Sequence, residues 1–212
     1  EMTADKPVNG VPTNVRFAMD NLAFAVPERS REEGLKNLAA LGYKNIDVSW
    51  LFHTSWNEPG SELLVRELSF KGTAMGSVSL RGTLGNITRD VFEGDSAVAM
   101  VALLGATAKT LHLSVEDKGL ANRLLAAEGK KRRRSAEDLR KEYGSVAAFG
   151  LPAMLGNSAS AKAITQAVSR FIAKPGRLEM SARAKDAGGL GVADVMVSGG
   201  SPQAILEQIE VT

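Results

Sequence analysis

The sequence contains no cysteine, which excludes disulfide bonds, thiolate metal sites and cysteine nucleophiles. Aromatic residues make up only 5% of the 212 residues, so we expect a core built from leucine, valine, alanine and methionine. No apolar run approaches the roughly 20 residues of a membrane-spanning helix. The formal net charge of +2 is too small to indicate a nucleic-acid partner, and no aromatic residues are interleaved with the basic ones for base stacking.

The composition is otherwise that of a globular protein, with 44% hydrophobic and 24% charged residues. A folded chain of this length should bury roughly 70% of its unfolded surface. Proline, asparagine and glycine are frequent near the beginning, so we predict an irregular segment over residues 1–12. A single domain should follow over residues 13–212, with a helical subregion at about residues 118–173.

The clearest structural pattern lies between Lys44 and Asn86. Apolar and polar residues alternate from Asn45 to His53, which predicts a half-buried strand. Leu63–Lys71 and Met75–Leu84 show similar strand patterns, and turn residues separate them. Short connectors favour antiparallel neighbours, so the pattern predicts a three-stranded meander with one apolar and one polar face.

Other segments predict strands and capped helices around this meander. Thr13–Val26 changes parity at Asp20–Asn21, where a β-bulge would restore the inward face. Strands are also predicted around Leu111–Val115, at Leu178–Lys185 and at Gln208–Thr212. The predicted helices are residues 31–41 capped by Ser30, residues 96–108 capped by Asp95 or Ser96, residues 118–128, residues 135–149 opened by a Ser135 capping box, residues 158–173 capped by Ser158, residues 192–197 and residues 201–207.

A helix-to-strand unit recurs three times along the chain. Similar strings around Ile46, Leu111 and Leu178 each follow a predicted amphipathic helix. We therefore predict an α+β fold, in which a curved antiparallel β-sheet has several amphipathic helices covering one face.

Four segments resemble a family of uncharacterised exported proteins of alphaproteobacteria. They are Met75–Asn86, Thr110–Leu120, Ser135–Tyr143 and Phe171–Leu178. The resemblance covers most of the chain after Val11. It implies a periplasmic location and an N-terminal segment preceding Glu1, and it implies no known activity or catalytic residue.

Residues for catalysis or metal binding form no recognisable motif. His53 and His112 are the only histidines, and neither has the spacing of a zinc site. No Gly-x-Ser-x-Gly elbow is present for a serine nucleophile, and no Walker lysine or dinucleotide-binding motif is present. We therefore expect no cofactor, no metal and no enzymatic activity, with a hydrolase that uses His112 or His53 as the weakest alternative.

The strongest charge feature is a run of five basic residues. Residues 118–142 contain nine Lys or Arg against four Asp or Glu. The run could dock on an anionic membrane or an acidic partner, but an ordinary solvated connector between helices would look the same. Its members, which we call the basic cluster, are Lys130, Lys131, Arg132, Arg133 and Arg134.

The apolar face of the predicted sheet is the other candidate site. Carriers of lipids and acyl chains have mostly apolar pockets with few polar groups, although a closed core would give the same pattern. We expect a non-enzymatic cell-envelope protein that binds a lipid-like ligand or a protein partner between sheet and helices. The alternative is a scaffolding module that docks through the basic cluster.

Overall fold

The computed structural model describes residues 1–212 as nine strands and seven α-helices. The strands are β1 Met2–Val8, β2 Val11–Ala25, β3 Asn45–Asn57, β4 Glu62–Gly72, β5 Gly76–Gly85, β6 Thr107–Asp117, β7 Arg177–Ala184, β8 Leu190–Gly191 and β9 Ile209–Val211. The helices are α1 Glu33–Ala40, α2 Ser96–Leu104, α3 Leu120–Arg132, α4 Ala136–Leu155, α5 Ala159–Ala173, α6 Val192–Val197 and α7 Pro202–Glu207. A short 3-10 helix, Arg89–Phe92, precedes α2.

All nine strands form one antiparallel sheet. The order is β1-β2-β3-β4-β5-β6-β7-β9, with β8 paired to the start of β6. β1 and β9 are the two edges, so the sheet is open and does not close on itself. The predicted α+β architecture is therefore confirmed.

The predicted meander is present as β3, β4 and β5. β3 is longer than predicted, since residues 54–57 continue the pairing with β4. The turn between β4 and β5 ends at Gly76, whose φ is +130°. A Cβ at this position would lie 1.9 Å from the carbonyl oxygen of Glu116, so only glycine allows β5 to approach β6 here.

The bulge predicted at Asp20–Asn21 is confirmed by a shift in register between Met19 and Leu22. Asn21 has a φ of +54°, and its backbone N–H donates to Ser49 Oγ at 2.9 Å. The one extra residue keeps Met19 and Leu22 on the same face of the sheet, as the hydrophobic pattern requires.

The irregular segment predicted over residues 1–12 is wrong. Met2–Val8 forms β1, and Asn9–Gly10 turns the chain directly into β2. Both turn residues have positive φ, +50° and +81°, which is the conformation that Asn-Gly favours in a two-residue hairpin. The turn residues that suggested irregular structure therefore mark one tight hairpin.

Three helix caps match their prediction. The side chains of Asp95, Ser135 and Ser158 accept hydrogen bonds from the first turns of α2, α4 and α5. The predicted Ser30 cap is wrong, because α1 begins at Glu33 and Ser30 Oγ instead accepts from the N–H of Glu32. α4 also continues past the predicted end at residue 149 to Leu155, with Pro152 inside its last turn.

One face of the sheet is apolar and carries the helices. α1 packs against Ile46 and Val48, and Leu120 of α3 reaches the same cluster. α5 packs against the other end of the sheet, where Ile209 and Val211 contact a second cluster. α4 lies outside this layer, against α3, α5 and α7. The first cluster, which we call the covered corner, comprises Val26, Tyr43, Ile46 and Val48.

The molecule exposes more surface than its size predicts. Its accessible surface is 13064 Å², and only 19 of 212 residues are buried. A compact monomer of 22.4 kDa should expose about 9,400 Å². Since the unfolded chain would expose about 32,500 Å², folding removes about 60% of that area rather than the expected 70%. Two small clusters thus replace one continuous core.

Candidate binding site on the apolar face of the sheet

The centre of the apolar face is only partly covered by helices. Strand pairing aligns Phe52, Leu68 and Leu80 in one row, and Trp50, Phe70 and Val78 in the next. Both rows continue across β6 to β7, ending at Met180 and Leu178. Six side chains of this face, Leu22 of β2 among them, are between 40% and 46% exposed. We call the five on β3 to β6 the open centre: Phe52, Leu68, Phe70, Val78 and Leu111.

A pocket joins the open centre to the helices. Its volume is about 260 Å³, and it lies where α3 and α5 meet the sheet. Phe70 and Val78 form its floor, so the pocket is continuous with the open centre. The remaining apolar lining is Met75, Val115, Leu120, Ala121, Leu124 and Phe171.

Two sets of polar contacts, one to the end of β6 and one to Leu41 and Tyr43, fix the first turns of α3 above the sheet. Asp117, at the end of β6, accepts hydrogen bonds from the N–H of Ala121 at 2.8 Å and of Gly119 at 3.1 Å. Arg123 Nη1 donates to the carbonyl oxygen of Leu41 at 3.0 Å, and its guanidinium lies 4.4 Å from the centre of the Tyr43 ring. α3 is therefore tied to the covered corner.

Burial raises the pKa of Tyr43, and the nearby Asp117 raises it further, while Arg123 opposes them. The phenol stays neutral and donates to the carbonyl oxygen of Ala74 at 2.9 Å. The carboxylate of Asp117 already accepts hydrogen bonds from two backbone N–H groups. Tyr43 and Asp117 thus make their hydrogen bonds within the protein. A ligand in this pocket would make mainly apolar contacts.

The opposite face of the sheet is polar and contains a groove of about 600 Å³. Arg66, Arg81, Arg183 and Glu210 line it. Burial acts to raise the pKa of Glu67 beside this groove, but hydrogen bonds from Ser69 and Arg81 outweigh it and lower that pKa. Glu67 is therefore a charged partner of Arg81 at neutral pH, with 3.0 Å between Oε2 and Nη2.

The two histidines lie on this polar face, on different strands. His112 Nδ1 is 2.9 Å from Ser181 Oγ, whereas His53 pairs in register with Glu67. Three strand spacings separate β3 from β6, or about 14 Å, so the histidines do not share a site. A serine–histidine pair on flat strands lacks the strained turn that presents a nucleophile in hydrolases. The absence of enzymatic activity stays a prediction.

The structure places the basic cluster differently from the sequence prediction. Lys130, Lys131 and Arg132 form the last turn of α3, and Arg133, with a φ of +54°, ends the helix. A connector was predicted there, but cations are favourable at a helix C-terminus and the helix continues through them. The five residues are together in space, although away from the pocket-lining residues at the start of α3.

Sequence reasoning missed two exposed apolar elements. α2 contains only apolar residues after Ser96, has no buried residue and packs mainly on the preceding 3-10 helix. α4 exposes Val146 and Phe149 on its outer side. The uniform hydrophobicity of α2 was a usable signal, since a helix that is apolar all round is expected to be covered.

The chain belongs to a family of proteins described as uncharacterized, whose model matches residues 69–212. No curated protein and no solved structure matches it. None of the helices combines the length and the hydropathy that crossing a bilayer requires.

Proposed function

We propose that this protein is a non-enzymatic binding protein of the cell envelope, which holds a lipid-like ligand on the open centre, between the sheet and helices α3 and α5. The observation that supports it best is the exposure of the open centre at 40–46% on a face whose covered corner and β9 edge are packed against helices. Contiguous apolar surface of this kind typically marks a binding site.

The shape of the apolar surface suits a linear chain. The 260 Å³ pocket alone is slightly smaller than a typical site for a drug-sized ligand. However, its floor residues Phe70 and Val78 belong to a row that extends from β3 to β7, beside the parallel row through Leu68 and Leu80. An acyl chain can enter the pocket at one end and follow these rows along the sheet.

The chemistry favours a lipid over a peptide. A bound peptide segment requires partners for its backbone N–H and C=O groups. The carboxylate of Asp117 already accepts two backbone hydrogen bonds, and the other lining residues are mainly apolar. An acyl chain has no such requirement, because each buried CH₂ contributes about 0.8 kcal/mol without directional contacts.

The envelope location is supported by the resemblance of four segments, including Met75–Asn86 and Ser135–Tyr143, to exported proteins. Export would also place the protein beside membranes that supply such a ligand. A fractionation experiment with the natural gene tests this part separately from ligand binding.

Ligand binding can be tested with a fluorescent palmitate analogue and delipidated protein. Leu68→Ala removes apolar area from the open centre and should weaken binding roughly five- to thirtyfold, equivalent to about 1–2 kcal/mol. Leu64→Ala is the matched control, because Leu64 lies on the same strand but on the polar face of the sheet, opposite Thr83. Native mass spectrometry of the undelipidated protein should show a bound lipid.

Equal effects of the two substitutions, or no binding by the parent protein, would contradict the proposal. Binding of a peptide but not of palmitate, lost in Leu68→Ala, would assign the open centre to a protein partner instead. The open centre would then still be the binding surface, but for a protein and not for a lipid.

A further inference from the structure

Helix α4 has one apolar side facing inward and another facing solvent. Leu139, Ala147 and Leu155 are buried, as expected for a helix packed on α3, α5 and α7. On the outer side, Val146 is 63% exposed and Phe149 is 79% exposed. Phe149 is by far the most exposed aromatic side chain of the protein, and no intramolecular packing accounts for it.

The outer residues continue a stripe that begins at the basic cluster. Glu142, Val146 and Phe149 follow each other at spacings of four and three residues, which places them on one side of the helix. Glu142 pairs with Arg134 and, at 3.7 Å, with Arg132. This carboxylate therefore holds the end of α3 one turn away from the exposed apolar residues.

Most of the positive charge in this region is uncompensated. Arg132 also pairs with Glu128 at 2.6 Å, so two carboxylates serve the five cations of the basic cluster. Lys130, Lys131 and Arg133 are exposed and make no ion pair. Their side chains are free to contact an anionic surface.

We propose that the basic cluster together with Val146 and Phe149 docks this protein on an anionic lipid bilayer. The cations would contact lipid phosphates, and the two apolar side chains would enter the boundary between headgroups and acyl chains. Protein interfaces are depleted in lysine, and mobile unpaired lysines fit a diffuse anionic surface better than a specific protein partner. This inference does not depend on the proposed ligand of the open centre.

The first test is binding to sedimented vesicles of phosphatidylcholine with one quarter phosphatidylglycerol. Binding should be much weaker to pure phosphatidylcholine and should fall as salt is raised, because salt screens exposed charges. The triple change Lys130→Ser, Lys131→Ser and Arg133→Ser should weaken binding at least tenfold. Its matched control removes the same charge elsewhere, with Arg29→Ser, Arg31→Ser and Lys44→Ser, and should bind like the parent.

The second test separates insertion from electrostatic attraction. Phe149→Ser should weaken binding severalfold while leaving the salt dependence in place. Met100→Ser, which changes an apolar residue on α2 that is 63% exposed, should have no effect. Phe149→Trp should retain binding, and the new indole should be quenched by brominated lipid.

All these side chains are exposed, so an unchanged urea midpoint should show that each variant is folded. Binding that does not depend on anionic lipid, or that survives both the triple change and Phe149→Ser, would overturn the proposal. So would self-association that Phe149→Ser abolishes in a protein that does not bind vesicles, since the stripe would then belong to a contact between two copies.

Discussion

Val48 and Val78 lie on the same apolar face of one sheet, but in opposite surroundings. Val48 is 8% exposed in the covered corner, under α1 and α3, whereas Val78 is 40% exposed in the open centre. Both residues satisfy the same alternating pattern. The difference shows that strand patterning decides which side of a sheet is apolar, while the reach of the helices decides whether that side becomes core or exposed apolar surface.

The largest expected effect comes from making the same substitution in both places. Val48→Ala should lower the free energy of unfolding by about 2 kcal/mol, because it removes two buried methyl groups and leaves a cavity. Val78→Ala should change it by less than about 0.5 kcal/mol in ligand-free protein. Urea denaturation measures both.

Equal losses in the two valine variants would mean that the open centre is closed in solution. A stability loss in Val78→Ala that appears only when palmitate is present would instead sharpen the distinction. The ligand would then stabilise the folded state by mass action, and less so in the variant.

The sequence located most of the strands, with β1 and β8 as exceptions, but it did not show which part of the sheet the helices cover. Alternation located β3, β4 and β5, and the parity change at Asp20–Asn21 located the bulge, because both depend on local period-two geometry. The open centre could not be predicted, since Ile46 and Leu111 lie in similar strings and differ in whether a helix packs over them. That difference depends on long-range contacts, such as the one from Arg123 to Leu41.

The exposed apolar residues of α4 were missed for a related reason. From sequence alone, a helix with apolar residues on more than one side is expected to be buried on all of them. Whether Phe149 or Leu155 faces inward depends on the packing of α4 against α5 and α7. The capping box at Ser135 located the start of α4 and carried no information about its rotation.

An intermediate loss of stability is expected at the boundary between the covered corner and the open centre. Arg123→Ala removes hydrogen bonds to Leu41 and Gly42 and the contact with the Tyr43 ring. We expect a loss of about 1–2 kcal/mol in unfolding free energy and faster amide exchange across α3. The open centre would thereby extend toward the covered corner.

Arg123→Lys is the informative control for that prediction. Lysine keeps the charge above the ring but cannot reproduce the planar contacts of a guanidinium, so partial recovery is expected. If amide exchange in α3 is unchanged in Arg123→Ala, then apolar packing alone holds the helix, and the boundary does not depend on this side chain.

The smallest effect concerns the polar face of the sheet. Neither apolar region depends on a titrating side chain of this face, where Glu67 pairs with Arg81. The pKa of Glu67 is lowered from 4.5 in the folded state. Its contribution to stability is therefore complete above about pH 4.5 and is lost as pH falls through the folded pKa. The contribution should stay below about 1 kcal/mol, since the partner Arg81 is largely exposed.

Glu67→Gln should remove this part of the acid sensitivity, so that parent and variant converge in stability below the folded pKa. Glu137→Gln is the matched control, because the lowered pKa of Glu137 comes from an exposed pair with Lys141 on α4, away from the sheet. Val78→Ala should leave the pH profile unchanged, since no titrating group depends on that side chain. A change in the profile of Val78→Ala would show instead that the two faces of the sheet are coupled through the strands they share.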